Sequence, residues 1–129
     1  MYLTDDTTIY PLPKGRITAR QGSTKVVIHE YEFTDHNDAT FMGRGPTRLT
    51  VGGTCTTEEL DLLDFITSSG QLLTLFYASA EGGVEDRYYR RVLALPVRPR
   101  PMTLSMHRYE IELHALDGVP YGLNDQPVY

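Results

Sequence analysis

The sequence has no tryptophan, a single cysteine, and no apolar run approaching the ~20 residues that span a bilayer. Each shortage removes a class of protein. One cysteine, Cys55, allows no intramolecular disulfide, so nothing ties the chain to an oxidising compartment. The start, MYLTDDTTIYPLPKG, is acidic and lacks the apolar segment of a signal peptide, and a soluble protein made in the cytoplasm is expected. Positive charge is also scarce. Twelve Lys+Arg against 17 Asp+Glu leave a formal net charge of -5, which argues against sequence-independent binding to nucleic acid or anionic lipid.

What is present is an ordinary globular composition, 40% hydrophobic and 22% charged over 129 residues. That length suits one domain, able to bury about two thirds of the surface its unfolded chain exposes. Nine Tyr and four Phe suit β-strands and wet interfaces. One basic run stands out, RYYRRVLALPVRPRP, with Arg87, Arg90, Arg91, Arg98 and Arg100. On an acidic chain it reads as a positive face for another copy of the same protein, ahead of nucleic acid.

Periodicity supplies the elements. Residues 1–15, broken by Pro11, Pro13 and Gly15, read as an N-terminal arm or a short edge strand. KVVIHEYEF (25–33) alternates as a strand, with Val27, His29, Tyr31 and Phe33 on one face. A polar loop follows through Thr34–Asp38, and the whole stretch 34–46 is expected as one long loop. TRLTVGGTC (47–55) is a second strand whose Gly52–Gly53 pair marks a bulge or a tight backbone approach. Thr56 and Glu59 have capping-box spacing, which predicts a helix over 57–69, closed by Gly70. Its apolar stripe is Leu60, Leu63 and Ile66/Thr67, widened by Leu62 and Phe65. QLLTLFYAS (71–79) reads as a strand apolar on both faces, turning at Gly82–Gly83 into RYYRRVLAL (87–95). Pro96, Pro99 and Pro101 predict an extended, unpaired edge. LSMHRYEIELHAL (104–116) alternates most cleanly, with Tyr109, Ile111, Leu113 and Ala115 inward, and a C-terminal tail, 117–129, has no period.

The sum is a single domain of mainly β structure with one α-helix (α+β). Five or six antiparallel strands are expected to form a small closed or half-open β-barrel over residues 16–116, with the helix packed against it.

No enzyme reading gathers weight from the residues. His107 and His114 are seven apart, so on a strand they face opposite ways and cannot share a metal ion. His29, Asp35 and His36 lack the short fixed spacing of a zinc site. Cys55 precedes a helix N-terminus, which favours a thiolate, but no nucleophile signature surrounds it. GRGPTR (43–48) lacks the Gly-Lys-Ser/Thr ending of a phosphate loop and leads into a strand. Arg44 there is expected to reach Asp35 or Asp38. No catalytic residue, cofactor or metal ligand is assigned.

HEY (29–31), Asp35, GR (43–44), LTVGGT (49–54) and the acid-started helix together resemble a module of tailed-bacteriophage proteins. The stretch is similar to the N-terminal domain of DNA-circularisation proteins, and to the distal tail, tail-terminator and LysM-bearing tail hub families. It covers residues 16–116, with LSMHRYEIELHAL as the final strand. Phe33 departs from the Arg or Pro those families often carry, and the chain is expected to be their core module alone. The resemblance implies a split β-barrel assembling into a homo-oligomeric ring, a hexamer, at the tail-tube end or baseplate hub of a virion. DNA would pass through the lumen without sequence-specific contact, and the partners would be other tube, hub or baseplate proteins. Interface candidates are Asp35, His36, Asp38 and Arg44 in the long loop, Glu81 and Glu85 at the hairpin tip, and Arg90, Arg98 and Arg100 on the basic run. Arms at both ends are expected to clasp neighbours. The competing expectation is a monomeric binding module for a small ligand or peptide, with an apolar cavity lined by Tyr31, Phe76 and Tyr88.

Overall fold

The computed structural model describes residues 1–22, 24–30, 37–80 and 82–128, with 24–30 and 37–44 described by backbone alone. Along the chain run β1 (Tyr2–Thr4), β2 (Ile9–Pro11), β3 (Arg16–Gln21), β4 (Thr24–Glu30), β5 (Asn37–Arg44) and β6 (Thr47–Thr56). Then come α1 (Thr57–Thr67), β7 (Leu72–Tyr77), β8 (Arg87–Ala94), β9 (Arg98–Pro101), β10 (Met106–Ala115) and β11 (Tyr121–Gly122). The protein is thus mainly antiparallel β with one helix, as the periodicity predicts. Among the described residues the strands number eleven rather than five or six. The order β2-β1-β7-β8-β10-β6-β3 makes one sheet, with β9 added on β10 and β11 on β8; β4 and β5 make a second.

The core follows from strict alternation on two long strands. Tyr109, Ile111, Leu113 and Ala115 of β10 are all buried, as are Thr47, Leu49, Val51 and Cys55 of β6. The strands pair in register over ten residues, setting Leu113 opposite Leu49 and Ile111 opposite Val51. Full burial of such a side chain contributes about 1.5–3 kcal/mol. Tyr109 falls opposite Gly53, a large residue against none. A Cβ on Gly53 would lie 2.6 Å from the Pro13 carbonyl oxygen and 2.7 Å from Tyr109 Oη. The tight backbone approach predicted for the glycine pair is therefore at Gly53. The bulge is on the partner strand, between Ile17 and Ala19 of β3.

At α1 the capping box forms in full: Thr56 Oγ1 accepts from the Glu59 N–H, and Glu59 Oε1 accepts from the Thr56 N–H. Leu63, Ile66 and Thr67 are buried, but Leu62 and Phe65 are 55% and 65% exposed. The expected widening of the stripe is wrong, because at 100° per residue Phe65 points nearly opposite Leu63. Thr67 Oγ1 donates to the Leu63 carbonyl (2.7 Å) and accepts from Val97 N–H (3.1 Å), so the helix ends there, two residues early. Gly70 turns the chain toward β7 at φ +72°.

β7 corrects another expectation. Its buried residues, Leu73, Leu75 and Tyr77, lie on one face only, and Leu72 is exposed. Both terminal segments pack on the chain's own sheet, and residues 1–15 form the expected short edge strand, as β1 and β2. Leu3 on β1 and Leu12 are buried in the core, and β1 pairs with β7. In the tail Val119 is buried, Thr47 Oγ1 donates to the Gly118 carbonyl (2.8 Å), and Tyr121 pairs with Tyr88. The proline stretch also pairs, Arg98–Pro101 lying against Glu110–His107.

The sheet does not close. Its ends, β2 and β3, are not paired with each other, yet residues 12–15 alone connect them, which holds Pro11 and Arg16 within about 18 Å. α1 touches β10, β6 and β2, spanning the same gap. Arg20 of β3 stands over the rings of Tyr77 and Tyr89 at 5.7 and 5.8 Å. On a flat sheet β3 and β7 would be about 19 Å apart, so the sheet curls into a half-open barrel with a slot between β3 and β7–β8.

Candidate functional site

The most distinctive surface lies on the outward face of β3, β6, β10 and β9. Residues there come in rows fixed by register. Arg16 opposes Gly52, Gly52 opposes Glu110, and Glu110 opposes Arg98; one row along, Thr54 opposes Arg108 and Arg108 opposes Arg100. Gly52 supplies no side chain there, which leaves a groove of about 710 Å³ walled by Lys14, Arg16, Arg98, Arg100 and Arg108, with Glu110 as the acid among its lining residues. Arg98 lies 3.9 Å from Glu110 and 3.6 Å from Glu112. Arg100 and Arg108 face each other directly, with no carboxylate within salt-bridge distance among the described residues. Like charges directly across a ladder are destabilising. Pro99 and Pro101 alternate with the two arginines of β9, so the missing N–H groups share one direction.

On the opposite face of β6 and β10 sits α1. Its inward side joins Tyr109 and Cys55 in the core, while Glu58, Asp61, Leu62, Asp64 and Phe65 are exposed. The helix contains no basic residue.

The slot is a cleft of about 1240 Å³, bordered by Arg16, Arg20, Tyr77, Tyr89, Arg87 and the N-terminus. The Met1 ammonium donates to Glu85 at 2.8 Å, and hydrogen bonding to that ammonium holds the Glu85 carboxyl below its ordinary range. Burial, then the neighbouring Tyr89, pushes the Tyr77 phenol up to about 12. Across the outward face of β1, β7, β8 and β11 runs an aromatic ladder: Tyr2 on Phe76 (4.9 Å), Phe76 on Tyr88 (5.2 Å), Tyr88 on Tyr121 (5.6 Å), closed by the Arg90 guanidinium 3.8 Å over Tyr121. The rings cover one another's faces, so the ladder staples strands and offers a ligand only edges.

Of the interface candidates, Asp35, His36 and Glu81 lie outside the described residues, as does Tyr31. Asp38 and Arg44 are both on β5, where a strand rather than the expected loop runs through 37–44. Glu85 is taken up by the N-terminus, and Arg90 by Tyr121 and, at 3.8 Å, Asp117. Arg98 and Arg100 do come together, in a groove with Lys14, Arg16 and Arg108, which sequence reasoning missed. Phe76 and Tyr88 stand in the outer ladder, which corrects the cavity they were expected to line.

His107 Nε2 lies 3.0 Å from Thr57 Oγ1 and His114 Nε2 3.9 Å from Glu112, on opposite faces of β10. Among the described residues no three His, Cys, Asp or Glu side chains converge on a point that could hold a metal ion. Burial, then the Glu59 carboxylate, pushes the Cys55 thiol up rather than down. No described helix is long and apolar enough to cross a membrane. Comparison with protein-family models and with curated proteins finds no match.

Proposed function

We propose that this chain is a structural component of a bacteriophage tail or baseplate, a half-open barrel that assembles with copies of itself into a ring through which DNA passes. The observation that carries this reading is the β4–β5 ribbon. β3 pairs with β6 from Arg16↔Gly52 to Gln21↔Arg48, and the next two strands in the chain, β4 and β5, pair with each other from Thr24↔Arg44 to Glu30↔Asn37. Seven residues of β4 extend about 23 Å, and among the described residues β4 and β5 pair only with each other. A two-stranded ribbon alone is marginally stable in water, and a neighbouring copy supplies the cover it needs. The curled sheet, a cationic outward face and an acidic helix on the other side suit repeated contacts between identical subunits.

The test is the mass in solution, by light scattering over a range of concentration and salt, with ring images by negative-stain electron microscopy. Replacing residues 24–44 by a two-residue turn between β3 and β6 is expected to leave the far-ultraviolet dichroism β-rich and to abolish the oligomer. A wild type that stays monomeric at every concentration would count against the ring. The slot favours a second reading, a monomeric module that takes a ligand between β3 and β7–β8. Ligand-dependent fluorescence of the slot tyrosines in a strict monomer would favour that alternative.

A further inference from the structure

We infer that neighbouring copies join front to back, the acidic outer face of α1 from one seated in the arginine groove of the next. This deepens the assembly reading above and rests on it.

Three observations lead there. Leu62 and Phe65 are large apolar side chains left more than half exposed on a helix whose core face is already satisfied by Leu63, Ile66 and Thr67. Around them stand Glu58, Asp61 and Asp64, with no cation on the helix to neutralise them. An apolar pair rimmed by one sign of charge calls for a partner that is flat, partly apolar and oppositely charged. The groove has those properties. Gly52 and Gly53 line it without side chains, Pro99 gives it apolar surface, and its walls are Lys14, Arg16, Arg98, Arg100 and Arg108. Arg100 and Arg108 confront each other in register, a repulsion that a carboxylate placed between them relieves.

The third observation is placement. α1 packs on the inward face of β6 and β10, while the groove occupies the outward face of the same two strands. Patches on opposite sides of one subunit cannot meet in a two-fold dimer, where each copy offers the same surface. They make a heterologous contact, which repeats until rotation closes it into a ring. The groove of an acidic chain thus takes a second copy of that chain, in preference to a nucleic acid repelled by the net charge of -5.

The experiment uses the full chain in three forms: wild type, Arg100→Glu/Arg108→Glu, and Glu58→Lys/Asp61→Lys, all positions being exposed. Sedimentation velocity gives the association of each alone and of the two variants mixed. Each variant alone is expected to associate about 100-fold more weakly than wild type, as like charges now meet. The equimolar mixture is expected to recover pairing, because the reversed groove of one accepts the reversed helix of the other. Wild-type oligomers that persist unchanged in both variants overturn this contact while leaving the ring reading in place. A wild type that never associates overturns both. A wild type that stays monomeric but binds a 30-base single-stranded DNA, with binding lost in Arg100→Glu/Arg108→Glu, assigns the groove to a polyanion instead.

Discussion

The two faces of β6 and β10 belong to the same twenty residues and obey different rules. Inward, Leu49, Val51, Cys55, Tyr109, Ile111, Leu113 and Ala115 are buried, and Leu49, Val51, Ile111 and Leu113 are completely covered. Outward, the same strands carry glycine, threonine, arginine and glutamate, including an Arg opposite an Arg. The inward face is complete within one chain. On the outward face Arg98 is answered by Glu110 and Glu112, while Arg100 and Arg108 have no carboxylate within salt-bridge distance among the described residues. A face that makes sense alone reports on folding, and one that makes sense only when covered reports on assembly.

The sharpest way to break that contrast is to truncate one residue on each side. Leu113→Ala is expected to cost about 2–5 kcal/mol, as a core side chain is lost and a cavity is left, whereas Glu110→Ala stays within about 0.5 kcal/mol. Urea unfolding of both variants measures the difference, and equal losses would mean that the outward face also holds the fold. The adjacent glycines refine it. Gly53→Ala drives a methyl into the Pro13 carbonyl at 2.6 Å and is expected to lower stability by about 1–3 kcal/mol. Gly52→Ala meets nothing nearer than 3.5 Å and changes the midpoint little in the same titration. The smallest effect is at the slot. Tyr77 titrates at about 12, above its ordinary 10, so its folded state is stabilised below pH 10 and that contribution disappears as pH rises from 10 to 12. Absorbance at 295 nm should show one late-titrating tyrosine fewer in Tyr77→Phe; amplitude lost near pH 10 instead would mean that Tyr77 ionises as an ordinary surface phenol.

The inward face was legible because its signal has one cause. Alternation on β10, the Thr56/Glu59 capping box and the close approach at Gly53 each follow from local rules that nothing distant overrides. β5 was not legible, since Asn37, Asp38 and Gly43 are poor strand formers and pair only because β4 lies beside them. Short β9 and β11 were hidden for the same reason, their strand character coming from a neighbour, whereas β1 and β2 fulfil the short edge strand read in residues 1–15. Arg98 and Arg100 were marked by an Arg-Pro-Arg-Pro alternation that places both on one side. Arg108 and Lys14 were missed because register with β9 and the path of residues 12–15 are tertiary facts. Phe65 misled in the other direction, an apolar residue assigned to the core that the helix turns outward.

Pro99 and Pro101 have a further consequence. An edge that has lost every second N–H cannot template another strand, so β9 is a blind end, and β2 and β11 are too short to do better. Of the end strands of the nine-stranded sheet, β3 is the longest, six residues without proline, and the bulge between Ile17 and Ala19 interrupts its regular ladder. Each end of that sheet thus carries a device that hinders growth into a fibre: proline on β9, shortness on β2 and β11, and a bulge on β3.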